Sequence, residues 1–517
     1  MDKKPQIINI INFIRDIEPR DPKLDLMQPV KEQIRLMKQH NLRGTFLLQY
    51  DALIDPKYVE LMKSLDPAQF EIGVWHEVVK PMTHKCGIEW HGRWTWDWHV
   101  HCGFPLGYTC EQRERLIDVL FNDFKATFGY YPRVFGSWIF DSHTLRYLSD
   151  RYGVDAVCNC KEQYGTDGYT LWGGYYGQGY YPSRTNAFMP AQTKAQQLPA
   201  PIFRMLGSDQ VYQFDMGLSI DDGIAPTQGV MTLEPVYVAN DGHNGHGGGD
   251  PKWADWFLKE NFSGECLSFG YAQAGQENSF GWKAMGAGLE YQFARFEEMQ
   301  RAGKLRVETL GETGRWFKSA YAETPASAIT AHGAFDDPLR SSVWYSSKFY
   351  RTNIYVDHGT LRIRDLHMFD GNQPDPYETT VCTGDTAAYE TLPIADGNRF
   401  SGKGILAGLY FVGAQAGDTL EFSDMGGGCA QVRCGEVAFT LNEDRLSVRA
   451  DGDFTIENRA AQGSDGAPEV LSVSEREVRL RYGGTDYAVR LNRGRFVDAQ
   501  TVASECGEIS AVLRAEE

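Results

Sequence analysis

Acidic residues directly follow apolar runs at six places in this chain: Asp16 and Glu18, Glu77, Asp141, Asp209, Glu234, and Glu277. If those runs are strands of a parallel barrel, each carboxyl stands at a C-terminal strand end, where such barrels gather their chemistry. Two carboxyl groups in unlike environments can divide the work of cleaving a glycosidic bond, one donating a proton and the other acting as nucleophile or base. Glu234 in MTLEPVY and Glu277 in FGYAQAGQENSFGW are the preferred pair. Their amide and aromatic neighbours can bond hydroxyls and raise a carboxyl pKa by desolvation. Asp141 and Asp209 are the further catalytic candidates. The plain alternatives are solvated strand ends and helix caps, the latter competing most directly at Asp141 before Ser142 and at Glu277 before Asn278.

The segment 90–101, WHGRWTWDWHVH, holds four tryptophans and three histidines in twelve residues. Flat rings interleaved with polar groups suit the C–H faces and hydroxyls of sugars. Trp94, Trp96 and Trp98 alternate with Thr95, Asp97 and His99, a pattern that equally describes a half-buried strand with an aromatic inner face. Trp138, together with Trp172 and Tyr175 in the aromatic, glycine-rich insertion 169–181, extends the candidate binding surface; a lid packed on its own barrel is the alternative there. Asp16, Glu18, Arg20, His76 and Glu77 are placed to grip substrate hydroxyls or to pair among themselves as a structural ion network.

The elements that must position these groups alternate in period. Strand-like runs at 7–14, 44–49, 70–75, 134–139, 154–159, 202–206, 230–237, 266–272 and 305–310 are separated by helical patterns, such as Leu116, Ile117, Leu120, Phe121 and Phe124 on one face. That order predicts an α/β fold, a (β/α)7-8 barrel over residues 1–320. At 321–338, YAETPASAITAHGAFDDP, periodicity stops and a linker is expected. Over 339–517, short alternating runs between Gly, Asn and Asp turns predict an antiparallel β-sandwich.

Several segments resemble the NodB-like polysaccharide deacetylase superfamily and its glycoside hydrolase relatives: NFIRDIEPR, GTFLLQY, FEIGVWHE, PRVFGSWIFDSHTLRYLSDRYGVDAV and VETLGETGRWF, in that order. The resemblance covers about three fifths of the chain. It implies a barrel whose first-strand Asp and two third-strand histidines, four residues apart, bind a divalent metal that activates water. Asp16 and His76 match two of those positions, but Lys80 stands where the second histidine belongs. A protonated ammonium cannot ligate a metal. A zinc or other divalent site could be rebuilt from His99 and His101 with Asp16 or His76, since the i, i+2 spacing on an extended segment puts both imidazoles on one side. His243 and His246 near Asp241 and Asp250 form a weaker candidate, for which a glycine-rich loop is the plainer reading.

Net charge is −18 and no Lys/Arg-rich run occurs, which argues against nucleic acid or an anionic membrane as partner and favours an uncharged carbohydrate. No segment approaches the length of a membrane span. The ten cysteines are scattered, without CxxC pairs, and read as reduced thiols of a cytoplasmic protein. No P-loop or GxSxG elbow is present. The leading reading is a glycoside hydrolase acting on a neutral glycoside or oligosaccharide. The others are a metal-dependent carbohydrate deacetylase with a rearranged ligand set and a non-catalytic carbohydrate-binding protein.

Overall fold

The first apolar run, QIINIINFI, is a strand buried at every position, with Ile8, Ile10 and Ile14 in one apolar cluster and Ile7, Ile11 and Phe13 in another, as expected of a parallel strand covered on both faces. The computed structural model describes residues 3–514 except 220, 222, 225–226, 238–245, 463 and 465. The N-terminal strands are β1 (Gln6–Ile14), β2 (Gly44–Leu48), β3 (Phe70–Trp75), β4 (Val134–Gly136), β5 (Ala156–Asn159), β6 (Ile202–Arg204), β7 (Gly270–Ala274) and β8 (Arg306–Glu308). They run parallel in the order β7-β1-β2-β3-β4-β5-β6, with β8 also on β1 and the short strand Gly179–Tyr180 antiparallel on β6. The two ends approach each other: Gly207 N donates to the Gln273 carbonyl and Gln273 Nε2 to the Phe203 carbonyl, each at 3.4 Å. The sheet is therefore a nearly closed barrel.

Helices cover the outside. The helix Cys110–Phe128 begins with a reciprocal cap between Thr109 and Gln112 and buries Leu116, Ile117, Leu120, Phe121 and Phe124, the face its spacing predicts. Strands β3 and β4 come so close that a Cβ on Gly73 would lie 2.4 Å from Val134 Cγ2 and 2.7 Å from its carbonyl oxygen. Only glycine fits there.

The C-terminal region consists of antiparallel sheets. One holds nine strands and the other eight. Val343, Ile354 and Ile363 of the first and Val432, Phe439 and Val448 of the second share one apolar core, giving a sandwich-like arrangement. The segment read as linker contributes a strand, Ser327–Ala331, to the edge of the nine-stranded sheet.

Two expectations change. The run 230–237 is not a strand among its described residues. It is a loop tied to the barrel by a bridge between Ser208 and Thr232 and by Leu233 N donating to Gly207 O at 2.8 Å. The insertion 169–181 is also not an open sugar platform. Trp172 and Tyr175 are 1% and 0% exposed. Trp172 stacks on Phe214 and donates its indole N–H to Asp396 at 2.6 Å, while the Tyr175 hydroxyl donates to the Pro325 carbonyl at 2.6 Å. The strand Tyr169–Trp172 pairs in parallel with Ala387–Glu390. These rings join the barrel to the β-region, because burying their apolar bodies there also satisfies their polar tips.

Candidate active site

A cavity of about 1140 Å³ opens at the C-terminal ends of the barrel strands. Its wall includes residues just beyond five of the strands: Arg15 after β1, Glu77 after β3, Trp138 after β4, Lys161 after β5 and Glu277 after β7. Glu234 enters from the 230–237 loop, and Asp385 and Thr386 from the C-terminal region.

Arg15 organises one side. Its guanidinium, 2% exposed, lies 2.9 Å from Glu277, 3.4 Å from Glu77 and 3.7 Å from Glu18, and it sits 4.0 Å from the centre of the Trp96 ring. Burial pushes Glu77 up to about 7, against the attraction of Arg15. For Glu18, burial is outweighed by a double hydrogen bond from Arg20, at 2.7 and 2.6 Å, and the carboxyl is held below its ordinary range. Glu277 precedes a 3-10 turn without capping it through its side chain; its carboxylate takes Arg15 and the Ser279 hydroxyl instead.

Glu234 has a different environment. It is 5% exposed, with Gln276 Nε2 donating to one oxygen at 3.0 Å and the Thr232 hydroxyl to the other at 2.9 Å. Burial pushes it up to about 7, those two donors oppose the rise, and the Glu277 charge adds to it. Two carboxyls of one cleft are thus differently served: Glu277 pairs with a cation, whereas among the described residues Glu234 is hydrogen-bonded by neutral donors.

Other sequence candidates lie elsewhere. Asp141 caps the helix Ser142–Tyr152 by accepting from Thr144 N at 2.8 Å, and it pairs with the fully buried Arg113 at 2.9 Å. Asp209 accepts from Val211 N, Tyr212 N and the Trp253 indole at 2.8, 2.7 and 3.0 Å. Both are fully buried outside the cleft wall, where their carboxyls fasten local backbone. Trp96 is 3% exposed with Arg15 over its ring. Trp98 and Trp138 are half-buried and line the cavity, Arg20 and Glu18 line it as well, and Trp94 lies outside the wall, stacked on Trp98 at 5.1 Å with Arg93 over its ring at 4.2 Å.

The implied metal does not fit these residues. Asp16 is bonded by Lys57, His99 Nδ1 lies 2.7 Å from Asp97, and His101 Nδ1 lies 3.0 Å from Asp385. His76 is fully buried beside Phe135, with both ring nitrogens unpartnered among the described residues, and burial alone pulls it down to about 3. Among the described residues, Asp365, His367 and Asp396 are the group of three whose candidate ligand atoms converge, and it excludes all four. In that group Arg351 holds Asp365 at 2.9 and 2.6 Å and the Trp172 indole holds Asp396, so a guanidinium and an N–H occupy the acceptors a metal would need. His246 lies 3.3 Å from Asp250; His243 and Asp241 lie outside the described residues.

Arg15, Lys161 and Asp167 also line the wall; a rule that looks for carboxyls at strand ends misses all three, since Arg15 and Lys161 are cations and Asp167 lies in the 3-10 turn Thr166–Gly168. The same strand-end rule, applied to cations, finds Arg15 after β1 and Lys161 after β5. Asp385 and Thr386 carry no local signal, because more than a hundred residues separate them from the rest of the wall.

No family model matches the chain, and no curated protein does. Among solved structures it is similar to a provisionally named glycoside hydrolase/deacetylase from Parabacteroides distasonis, with 15% identity and a TM-score of 0.55 over 76% of this chain and 92% of that one. A provisionally named polysaccharide deacetylase from Mycobacterium smegmatis matches with 12% identity and a TM-score of 0.37 over 62% and 92% of the two chains. A GH57 branching enzyme from Thermococcus kodakaraensis matches with 9% identity and a TM-score of 0.31 over 62% and 71%. The chain shares its fold with the Parabacteroides distasonis protein, and its N-terminal sheet is a nearly closed, mostly parallel barrel.

Proposed function

We propose that the protein is a carbohydrate-active hydrolase that cleaves a glycosidic bond in a neutral glycoside or oligosaccharide. Residues 1–320 form the catalytic domain and 339–517 a supporting β-sandwich, and ten free cysteines favour a reducing, cytoplasmic setting. One observation carries the reading: in a single cleft, burial raises Glu234 to about 7 while Glu277 lies 2.9 Å from Arg15. Glu234 then reaches neutral pH still holding a proton to give the leaving oxygen as the C–O bond breaks. Glu277 attacks the anomeric carbon or takes a proton from water. Trp98 and Trp138 offer ring surface for the sugar, and Glu18, Arg20 and Glu77 surround it with polar groups. The fold likeness to a protein named both hydrolase and deacetylase supports a carbohydrate substrate without choosing the bond.

The second reading is a carbohydrate deacetylase. It is favoured by the free ring nitrogens of His76, at the position where the resembled superfamily keeps a metal ligand. Assaying acetylated and unacetylated oligosaccharides for new reducing ends and for acetate separates the two. New reducing ends from both substrates, insensitive to a chelator, are expected; acetate release abolished by the chelator and restored by zinc overturns the glycosidase.

A further inference from the structure

Lys161 shares the cleft wall with Glu234 and is 3% exposed. An ammonium has three donors, yet its one protein acceptor among the described residues is the Glu162 carbonyl at 3.3 Å. The neighbouring Glu162 carboxylate cannot serve it, being shared between Arg204 and Arg351. The other cations of the wall are taken: Arg15 by Glu277 and Glu77, Arg20 by Glu18. Among the described residues, Lys161 is thus the wall cation that no carboxylate pairs, and Glu234 is a buried wall carboxyl that no cation pairs. A buried charge without a close counter-charge is costly, and each such charge acts strongly on whatever ionises nearby.

We propose that Lys161 is a positioning residue for this reaction, whose ammonium, facing Glu234 across the cleft wall, sets how tightly that carboxyl holds the proton it donates. The inference rests on Glu234 being the acid. Glu234 is faced by Lys161 from the segment after β5, by Glu277 from the segment after β7, and by the neutral Gln276 and Thr232; Lys161 is faced in turn by Asp167, Cys160 and the paired Glu162. Glu277 tightens the proton on Glu234 and Lys161 loosens it. Conversely, burial lowers the ammonium of Lys161, and the Glu234 and Asp167 charges counter that lowering. The balance lets one carboxyl both retain a proton near neutrality and release it.

The test is a carbon-13 titration of protein labelled at the glutamate carboxyl, with the Glu234 signal identified by its loss in Glu234→Gln. In Lys161→Met the Glu234 midpoint is expected to rise by at least about one pH unit, on the order of 1.4 kcal/mol of lost attraction. Lys161→Arg keeps the charge and leaves the midpoint in place. Lys161→Gln serves the same comparison if the methionine variant does not fold. An unmoved midpoint in the charge-removing variants overturns the inference, whatever happens to thermal stability. Full glycan turnover by Glu234→Gln instead removes Glu234 as the acid while the titration still shows whether Lys161 acts on it.

Discussion

Replacing Glu234 by glutamine should stabilise the protein, and only at higher pH. Burial raises this carboxyl from 4.5 to about 7 in the folded chain. Below about pH 4.5 both folded and unfolded chains hold the proton and no cost arises. As pH rises through the interval up to about 7, the unfolded chain releases its proton while the folded chain keeps it, so stability falls. Above about 7 the full cost is present. At 1.36 kcal/mol per pH unit it reaches about 3 kcal/mol. The residue is 5% exposed, so solvent screens little of this. Glutamine is neutral throughout and fits the same partners: its carbonyl oxygen can accept from Gln276, and its amide can donate to the Thr232 hydroxyl. Urea unfolding of both proteins at pH 5 and pH 8.5 reads the difference. The variant should exceed the native protein by less than about 1 kcal/mol at pH 5 and by about 3 kcal/mol at pH 8.5. An equal difference at both pH values refutes a buried, proton-holding Glu234.

Arg15→Met leaves Glu77 and Glu277 buried without their counter-charge and should cost about 3–5 kcal/mol of stability at neutral pH, measured by the same unfolding assay, with a smaller loss in acid. Trp98→Ala should raise KM for the cleaved glycan about tenfold, in line with the loss of one stacked ring. Trp172→Phe removes the hydrogen bond to Asp396 inside the join between barrel and β-region, so it should lower the melting temperature and leave KM unchanged.

Much of the barrel was legible because its strands are buried on both faces and read as continuous apolar runs, as in β1. The run at 230–237 deceived for the same reason. Val230, Met231 and Leu233 are buried, but as a loop packed on the barrel, and Pro235 has no N–H for a ladder. Glu234 nevertheless reaches the cleft, though on a loop. Asp141 and Asp209 show the limit of strand-end position as a guide: whether a carboxyl faces a cavity or a neighbouring N–H is decided by local backbone geometry that spacing does not encode. The aromatic insertion was ambiguous from composition alone, since rings that stack on sugars and rings that stack on Trp344 or Phe214 have the same residue types. The proximity of Asp385 to His101 depends on how the C-terminal chain returns to the barrel mouth, which no local pattern carries.

The central claim is that Glu234 and Glu277 together break a glycosidic bond. Its most direct test is the turnover of one cleaved oligosaccharide by the native protein, Glu234→Gln and Glu277→Gln, each with and without a chelator. Each substitution should lower kcat by at least about a hundredfold, with no effect of the chelator. Native-like turnover in both variants, or activity lost to the chelator and restored by a divalent ion, contradicts it.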